Sequence, residues 1–209
     1  TLENTHNYCM GSPISPEYMR QVGNLAQKYN LKIHIDGARI FNAAIALKLD
    51  VKDLLCEADS VMFCLSKGLS APVGSIVCGS KDFIHKTRKW RKMVGGGMRQ
   101  SGHLAAAGII ALNDLTERLE EDHSNAQKLA QGIARLKGIV LKPELIKTNI
   151  IFFRLEYSNV KPESFLKSLE SEGIKILMIQ EGIFRIVLHR EISETQVEQV
   201  IKAIADLTK

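Results

Sequence analysis

The chain has 209 residues, of which 45% are apolar, and its formal net charge at neutral pH is +5. This length and composition allow a full hydrophobic core in one large or two small domains, and they exclude a disordered chain. The chain has no run of roughly eighteen apolar residues, and residues 1–10 lack the pattern of a secretory signal. We therefore expect a cytoplasmic or mitochondrial protein that is neither secreted nor bound to a membrane.

The first half of the chain alternates helix and strand patterns. A helix is predicted over "SPEYMRQVGNLAQKYN", where Ser15 can cap the N-terminus and Tyr18, Val22, Leu25 and Tyr29 recur at helical spacing. The strand "KIHID" follows, then a helical segment, "ARIFNAAIALK". Two further segments, "DSVMFCLSKG" and "GSIVCGS", are typical of strands buried on both faces. The strand–helix–strand order predicts a parallel sheet with right-handed crossovers.

Residues 81–93, "KDFIHKTRKWRKM", carry six basic residues and one acid around Trp90. Basic residues interleaved with an aromatic are typical of a nucleic-acid surface. The remaining charges are balanced, however, and "ERLEEDHSN" is acidic. We therefore favour a solvated helix face, or a basic rim around a small anionic ligand, and expect no nucleic-acid partner.

The second half begins with "SGHLAAAGIIALNDLTERLEEDHSNAQKLAQGIARLKG", which predicts an almost uninterrupted helix that could connect two bodies. From about Gly138 onward the strands "TNIIFFRLE" and "GIFRIVLHR" alternate with the helices "KPESFLKSLESEG" and "SETQVEQVIKAIADLTK". Ser193 and Gln196 can form a capping box for the last helix. The expected domains are residues 1–135, including the connecting helix, and a small α+β domain over residues 136–209.

The four cysteines, Cys9, Cys56, Cys64 and Cys78, lie far apart and form no C-x-x-C pair. No histidine stands at metal-ligand spacing from them, so the sequence predicts neither a metal site nor a disulfide framework. Reduced thiols in a cytosolic or organellar interior are the expectation.

Polar residues follow three predicted strands, in "NTHN", "DGAR" and "LSKG", and open parallel sheets bind ligands at such strand ends. Lys67 follows a buried strand, so partial loss of solvent around its ammonium would favour Schiff-base chemistry. The alternative is a lysine whose side chain extends from the strand end into solvent. Asp36 could hold the ring nitrogen of pyridoxal phosphate protonated, and Arg39 could bind a substrate carboxylate. The alternative for Asp36 is an ordinary turn that ends a strand.

Five segments resemble the signatures of the low-specificity L-threonine aldolases, and they occur in the same order from Thr1 nearly to the C-terminus: "LENTHN", "HIDGARIFNAA", "CLSKGLSAPVGS", "RKWRKMVGGGMRQSGHLAAAG" and "FRIVLHR". The resemblance implies an α/β fold of the PLP-dependent transferase type (fold type I), here a large-domain portion followed by a C-terminal α+β domain. It also implies cleavage of threonine or allo-threonine to glycine and acetaldehyde.

The resemblance implies roles for individual residues. Lys67 would be the Schiff-base lysine, Asp36 the partner of the pyridinium nitrogen, and Arg39 a ligand of the substrate carboxylate. Arg185 in "FRIVLHR" is similar to the family arginine that reaches the same carboxylate from the small domain. His6 in "NTHN" is either a site residue that could act as a base or a polar turn residue.

Two basic residues of "RKMVGGGMRQ", Lys92 and Arg99, resemble residues that the family uses near the active site, in some members across a subunit boundary. The resemblance assigns Arg99 to the cofactor and Lys92 to the substrate. We therefore expect a homodimer or homotetramer with shared active sites.

Family members carry a substantial segment before "LENTHN", which supplies a phosphate-binding loop and a residue that stacks on the pyridine ring. We expect this chain to lack that N-terminal part. Alternatives to aldol cleavage therefore stay open: a non-catalytic fragment or isoform that acts as an interaction module, or another PLP chemistry such as β-elimination or transamination.

Overall fold

The computed structural model describes residues 1–156 and 160–209, which form two compact units. The first unit comprises Thr1–Thr5 and Pro13–Leu119, and the second comprises His6–Ser12 and Glu120–Lys209. The predicted domains, residues 1–135 and residues 136–209, stay a prediction.

The first unit is built on a four-stranded sheet in the order β1-β2-β3-β4, in which β1, β2 and β3 are parallel. One of its hydrophobic clusters lies between α1 and the sheet, where Met19 and Ala26 pack against Ile33, Ile35 and Val61. Two further clusters of buried residues centre on Leu65 and Leu69 and on α2. The elements of this unit are β1 (Leu2–Glu3), α1 (Pro16–Lys28), β2 (His34–Asp36), α2 (Ile40–Leu47), α3 (Val51–Leu54), β3 (Ser60–Cys64), β4 (Ser75–Gly79), α4 (Lys81–Met93) and α5 (Gly102–Asp114).

Strand β4 departs from the sequence prediction in both direction and burial. It pairs antiparallel with β3, and all five of its residues are exposed. The ten residues between the two strands contain bends and turns but no helix, and a parallel crossover needs a longer connection. Within the described part of the chain, β4 is the last strand in the sheet order and pairs with β3 alone. The predicted burial on both faces is therefore wrong for β4.

The second unit contains a four-stranded antiparallel sheet in the order β5-β6-β8-β7, with helices packed on one face. Phe153, Phe165 and Phe184 form its centre, with ring centroids 5.1–6.2 Å apart. The elements are α6 (Leu119–Ile133, whose first residue is counted with the first unit), β5 (Ile139–Val140), β6 (Ile150–Leu155), α7 (Pro162–Ser171), β7 (Leu177–Gln180), β8 (Ile183–Val187) and α8 (Glu194–Leu207).

The long connecting helix is interrupted, contrary to the prediction. Helix α5 ends at Asp114 and α6 begins at Leu119. The Thr116 hydroxyl donates to the Leu112 carbonyl oxygen at 2.9 Å, so the side chain binds a carbonyl at the point where the helix ends. Acidic residues fill the first turn of α6, where they complement the helix dipole of a new N-terminus.

The local helix signals are confirmed. The Ser15 hydroxyl accepts a hydrogen bond from the Tyr18 amide at the start of α1, and Ser193 and Gln196 form the predicted capping box. The buried face of α1 carries Met19, Gly23 and Ala26. Three of the four residues predicted at helical spacing, Tyr18, Leu25 and Tyr29, are instead exposed. Within residues 1–156 and 160–209, no helix has both the length and the apolar character needed to cross a membrane.

Candidate functional site

The parallel pairing of β2 and β3 brings two of the predicted site segments to one edge of the sheet. Asp36, the last residue of β2, is the register partner of Met62 in β3. The Gly37 amide donates to the Met62 carbonyl oxygen at 2.8 Å, which ties the turn after β2 to β3. Since Lys67 follows β3 in the chain, Asp36 and Lys67 both lie beyond the carboxyl ends of adjacent strands. Ligands bind at this edge of open parallel sheets.

The Asp36 carboxylate is held at the end of β2. Its Oδ1 accepts a hydrogen bond from the Ala38 amide at 3.0 Å, and the residue is half-buried. The Ile40 amide donates to the Gly37 carbonyl oxygen at 2.8 Å and leads into α2. The carboxylate therefore stands beside the N-terminus of a helix, where negative charge is favoured.

The half-buried Arg39 lies within electrostatic reach of titratable residues at the ends of three parallel strands. Burial lowers the pKa of Arg39, and the electrostatic influence of Glu3, Cys64 and Asp36 opposes that shift. Glu3 ends β1, Asp36 ends β2 and Cys64 ends β3, so the guanidinium lies near the carboxyl edge of the sheet. Asp36 and Arg39, which stand at the end of one apolar strand, therefore lie at the same edge of the sheet.

Lys67 lies in the turn between β3 and β4. The Leu65 amide donates to the Gly74 carbonyl oxygen at 2.9 Å, and the buried side chains of Leu65 and Leu69 fasten the turn to the core. The Lys67 residue is exposed, and its side chain makes no hydrogen bond or ion pair with any residue that the structure describes. The expected partial loss of solvent around its ammonium is therefore wrong for this chain, because the flanking leucines occupy the inward positions.

Lys92 and Arg99 also belong to the first unit, but no described hydrogen bond or ion pair links them to Asp36, Arg39 or Lys67. Lys92 lies near the C-terminus of α4, Arg99 lies in the loop before α5, and both are exposed. Neither side chain has a hydrogen bond or ion pair within the described part of the chain. Their assignment to the cofactor and the substrate stays a prediction.

His6 and Arg185 belong to the second unit. The His6 carbonyl oxygen accepts hydrogen bonds from the Cys9 and Gly11 amides at 3.2 and 3.1 Å. Arg185 lies in the middle of β8, half-buried, with Phe152 of β6 as one register partner. The structure thus groups Asp36, Arg39 and Lys67 in one unit, while the association of His6 and Arg185 with them stays a prediction.

Three residues near the strand ends were missed by sequence reasoning. Glu3 and Cys64 are the electrostatic neighbours of Arg39, and the rule that selected Asp36 could have selected both of them. Thr5, just after β1, is fully buried, and its hydroxyl has no hydrogen-bond partner among the described residues. No sequence signal marks Thr5 apart from its position in "LENTHN".

The chain is similar in sequence to known enzymes. It is 47% identical over 201 residues to a probable low-specificity L-threonine aldolase 2 of Arabidopsis thaliana, and 40% identical over 201 residues to the low specificity L-threonine aldolase of Escherichia coli K12. Each alignment covers 96% of this chain and 57% of the relative, so the chain spans little more than half their length. The predicted resemblance to low-specificity L-threonine aldolases is confirmed.

The fold also matches solved structures. A crystal structure described as a putative L-allo-threonine aldolase from Listeria monocytogenes superposes with a TM-score of 0.83 at 18% sequence identity. The match covers 98% of this chain and 60% of that one, and it confirms the predicted fold class. Residues 1–156 match the family described as beta-eliminating lyase. The chain therefore belongs to the beta-eliminating lyase family.

Proposed function

We propose that the protein is a PLP-dependent aldehyde lyase that cleaves L-threonine or L-allo-threonine to glycine and acetaldehyde. The observation that carries the proposal is the pairing of β2 with β3, which puts Asp36 and Lys67 beyond neighbouring strand ends. The sequence identity to enzymes named as low-specificity L-threonine aldolases supports the choice of substrate.

The residues of this edge fit pyridoxal phosphate. Asp36 supplies a fixed carboxylate for the ring nitrogen. The Lys67 amine makes no hydrogen bond or ion pair with any described side chain, so it is available to the cofactor. Gly37 lets the backbone after Asp36 approach β3, since a Cβ at this position would lie 2.8 Å from the Met62 carbonyl oxygen. Arg99 is the candidate cation for the cofactor phosphate.

When bound, pyridoxal phosphate supplies an electron sink for negative charge at the substrate Cα. Asp36 would hold a proton on the ring nitrogen and so keep that sink effective. Lys67 would hold the cofactor through its Nζ. Arg39 and Arg185 would bind the substrate carboxylate through paired N–H···O bonds, with Lys92 as a further cation near the substrate.

Aldol cleavage breaks the Cα–Cβ bond of a β-hydroxy-α-amino acid. His6 is our candidate for the base that removes the β-hydroxyl proton, after which the C–O bond becomes the aldehyde carbonyl and the Cα–Cβ electron pair stays with Cα. Protonation of Cα then gives glycine. The proton from the hydroxyl and the proton gained at Cα balance, so no oxidant or reductant is required.

The direct test is an assay of acetaldehyde and glycine from both substrates with the full-length protein and added pyridoxal phosphate. Lys67→Ala should abolish cleavage, whereas Lys52→Ala, which removes an exposed lysine of α3, should leave it unchanged. Cleavage that persists at the wild-type rate in Lys67→Ala would contradict the proposal.

A second candidate reaction is β-elimination, which the family's description favours. It would use the same Asp36 and Lys67 but would release ammonia and 2-oxobutanoate from threonine. Measuring both products in the same reaction separates the two activities: glycine with acetaldehyde supports aldol cleavage, and ammonia with the keto acid supports elimination.

We further propose that the protein is a homodimer or homotetramer whose active sites are shared between subunits. Trp90 of α4 and Ile109 and Ile110 of α5 are 61%, 60% and 56% exposed, and apolar exposure of this kind marks interaction surfaces. Lys92 lies in α4 and Arg99 lies in the loop before α5. Neither side chain has a partner among the described residues, so both are available to a neighbouring subunit. Sedimentation of the full-length protein as a monomer would contradict this proposal.

We propose a cytoplasmic or mitochondrial location for the whole protein. All four cysteines are free thiols, and Cys9, Cys56 and Cys78 are exposed, which suits a reducing compartment. Fractionation of cells that produce the full-length protein tests the location, and recovery from the secreted fraction would contradict it.

A further inference from the structure

The segment that carries His6 forms a closed turn within the second unit. The Cys9 and Gly11 amides both donate to the His6 carbonyl oxygen, and the Ser12 amide donates to the Cys9 carbonyl oxygen at 3.0 Å. Residues 6–12 belong to the second unit, although the residues on either side of them belong to the first. Whatever holds this turn to the second unit therefore determines where His6 lies within that unit.

A side-chain hydrogen bond from Thr148 holds this turn to the second unit. Thr148 is fully buried, and its hydroxyl donates to the Gly11 carbonyl oxygen at 2.9 Å. The fit is close: a Cβ at Gly11 would lie 2.4 Å from Thr148 Oγ1 and 3.3 Å from the Ile150 side chain. Gly11 also has a φ of +66°, which favours glycine. The turn is thus docked directly against residues 148–150.

The next residue, Asn149, is 3% exposed and holds the end of the Arg185 strand. Its Nδ2 donates to the Leu188 carbonyl oxygen at 2.8 Å, and the Leu188 amide donates to the Asn149 carbonyl oxygen at 2.9 Å. Leu188 directly follows β8, three residues after Arg185. Thr148 therefore holds the turn that carries His6, and the adjacent Asn149 holds the end of the strand that carries Arg185.

We infer that Thr148 and Asn149 are positioning residues that fix the arrangement of His6 relative to Arg185. This role rests on the proposed aldolase function, in which His6 takes the hydroxyl proton and Arg185 binds the carboxylate. A base and a carboxylate ligand must keep a constant spacing for one substrate to meet both of them. Hydrogen bonds from two adjacent buried residues hold that spacing. Movement of either segment would break its bond and leave a carbonyl oxygen without its partner, which is costly.

The test combines hydrogen exchange with kinetics on the full-length protein. Thr148→Val keeps the shape of the side chain but removes the hydroxyl, and it should speed amide exchange in residues 6–12 about tenfold. Exchange in α7 and α8 should stay unchanged. Thr148→Ser restores the donor and should restore slow exchange. The matched control is Thr208→Val, which removes a hydroxyl that donates to the Ile204 carbonyl oxygen at 3.0 Å in the same unit.

The kinetic results should divide between the two residues. Thr148→Val should lower kcat about tenfold with little change in KM, because His6 acts in the chemical step. Asn149→Ala should raise KM about tenfold and speed exchange in residues 183–188, because Arg185 binds substrate. Unchanged exchange in residues 6–12, acceleration spread evenly over the second unit, or failure of Thr148→Ser to restore the wild type would overturn the inference.

The exchange measurements need no activity and can be made without cofactor. A wild-type protein that does not cleave threonine would contradict the proposed function. Localised exchange in Thr148→Val would then still establish the anchoring of the His6 turn, and its absence would refute that anchoring separately.

Discussion

Gly37→Ala should separate the two strand ends that form the proposed cofactor site. A Cβ at this position would lie 2.8 Å from the Met62 carbonyl oxygen and 3.1 Å from side-chain atoms of Ile40 and Val61. Carbon–oxygen contacts normally begin at about 3.3 Å, so the backbone must move by about 0.5 Å. The obstacle is backbone, which cannot rotate away as a side chain can. The new methyl group therefore pushes the end of β2 away from β3.

The magnitude follows from this displacement. Inserting a methyl group into a filled space costs about 1–3 kcal/mol of unfolding free energy. The same shift moves Asp36 relative to the turn that carries Lys67, and functional groups must be held to within about 0.5 Å. We therefore expect the affinity for pyridoxal phosphate to fall at least about tenfold, which corresponds to about 1.4 kcal/mol.

Urea unfolding and cofactor titration of Gly37→Ala measure these two effects. The control is Gly102→Ala at the start of α5, where an added Cβ would meet nothing within 4 Å. That substitution should leave cofactor affinity unchanged and stabilise the protein by at most about 1 kcal/mol. If Gly37→Ala keeps its unfolding free energy within about 0.5 kcal/mol and binds cofactor as the wild type does, the steric reasoning is wrong.

Four further predictions address the chemistry, the core, the pH response and the assembly. Asp36→Asn should retain bound cofactor but slow threonine cleavage at least about tenfold, because a neutral amide no longer holds the ring nitrogen protonated. Phe184→Ala removes a fully buried ring and should cost about 3–5 kcal/mol in urea unfolding. Burial lowers the pKa of His123 to about 4, so the unfolded chain takes up this proton first. The free energy of unfolding should then fall by up to about 3 kcal/mol between about pH 6.5 and pH 4, and His123→Gln should flatten that slope. Co-assembly of inactive Lys67→Ala and Arg99→Ala subunits should restore part of the activity if sites are shared, since one mixed site carries both defects and the other neither.

Each of these predictions has a result that contradicts it. Less than a tenfold loss in Asp36→Asn would mean that the ring nitrogen has a different partner. A cost below about 1 kcal/mol in Phe184→Ala would show that the aromatic cluster collapses around the cavity. An unchanged acid slope in His123→Gln would assign the pH response to other groups, and inactive mixed dimers would leave Arg99 to its own subunit or to the surface.

Signals carried by neighbouring residues were predictable from sequence. The Ser15 cap and the capping box at Ser193 depend on residues within one helical turn, so the pattern alone predicts them. The interruption at Thr116 is also local, but threonine stands within helices as well as at their ends, so its position does not reveal whether the helix continues.

Features that depend on distant parts of the chain were not predictable in the same way. Apolar composition made β4 resemble a strand buried on both faces, yet all five of its residues are exposed. Burial of a strand depends on which other elements cover its faces, and the segment itself does not reveal that. The surroundings of Arg39 arise because three strands from different parts of the chain end together. Similarly, His6 belongs to the second unit with residues 7–12, and this segment contacts Thr148, whose hydroxyl donates to the Gly11 carbonyl oxygen 137 residues earlier in the chain.

Borohydride reduction followed by peptide mass spectrometry shows whether Lys67 holds pyridoxal phosphate, on which the proposed chemistry depends. The full-length protein is incubated with the cofactor, reduced, digested and searched for a lysine that carries the reduced cofactor. We expect a single modified peptide, with the label on Lys67, and loss of that label in Lys67→Ala. A label on another lysine, or no label at cofactor concentrations that saturate related enzymes, would contradict this role of Lys67.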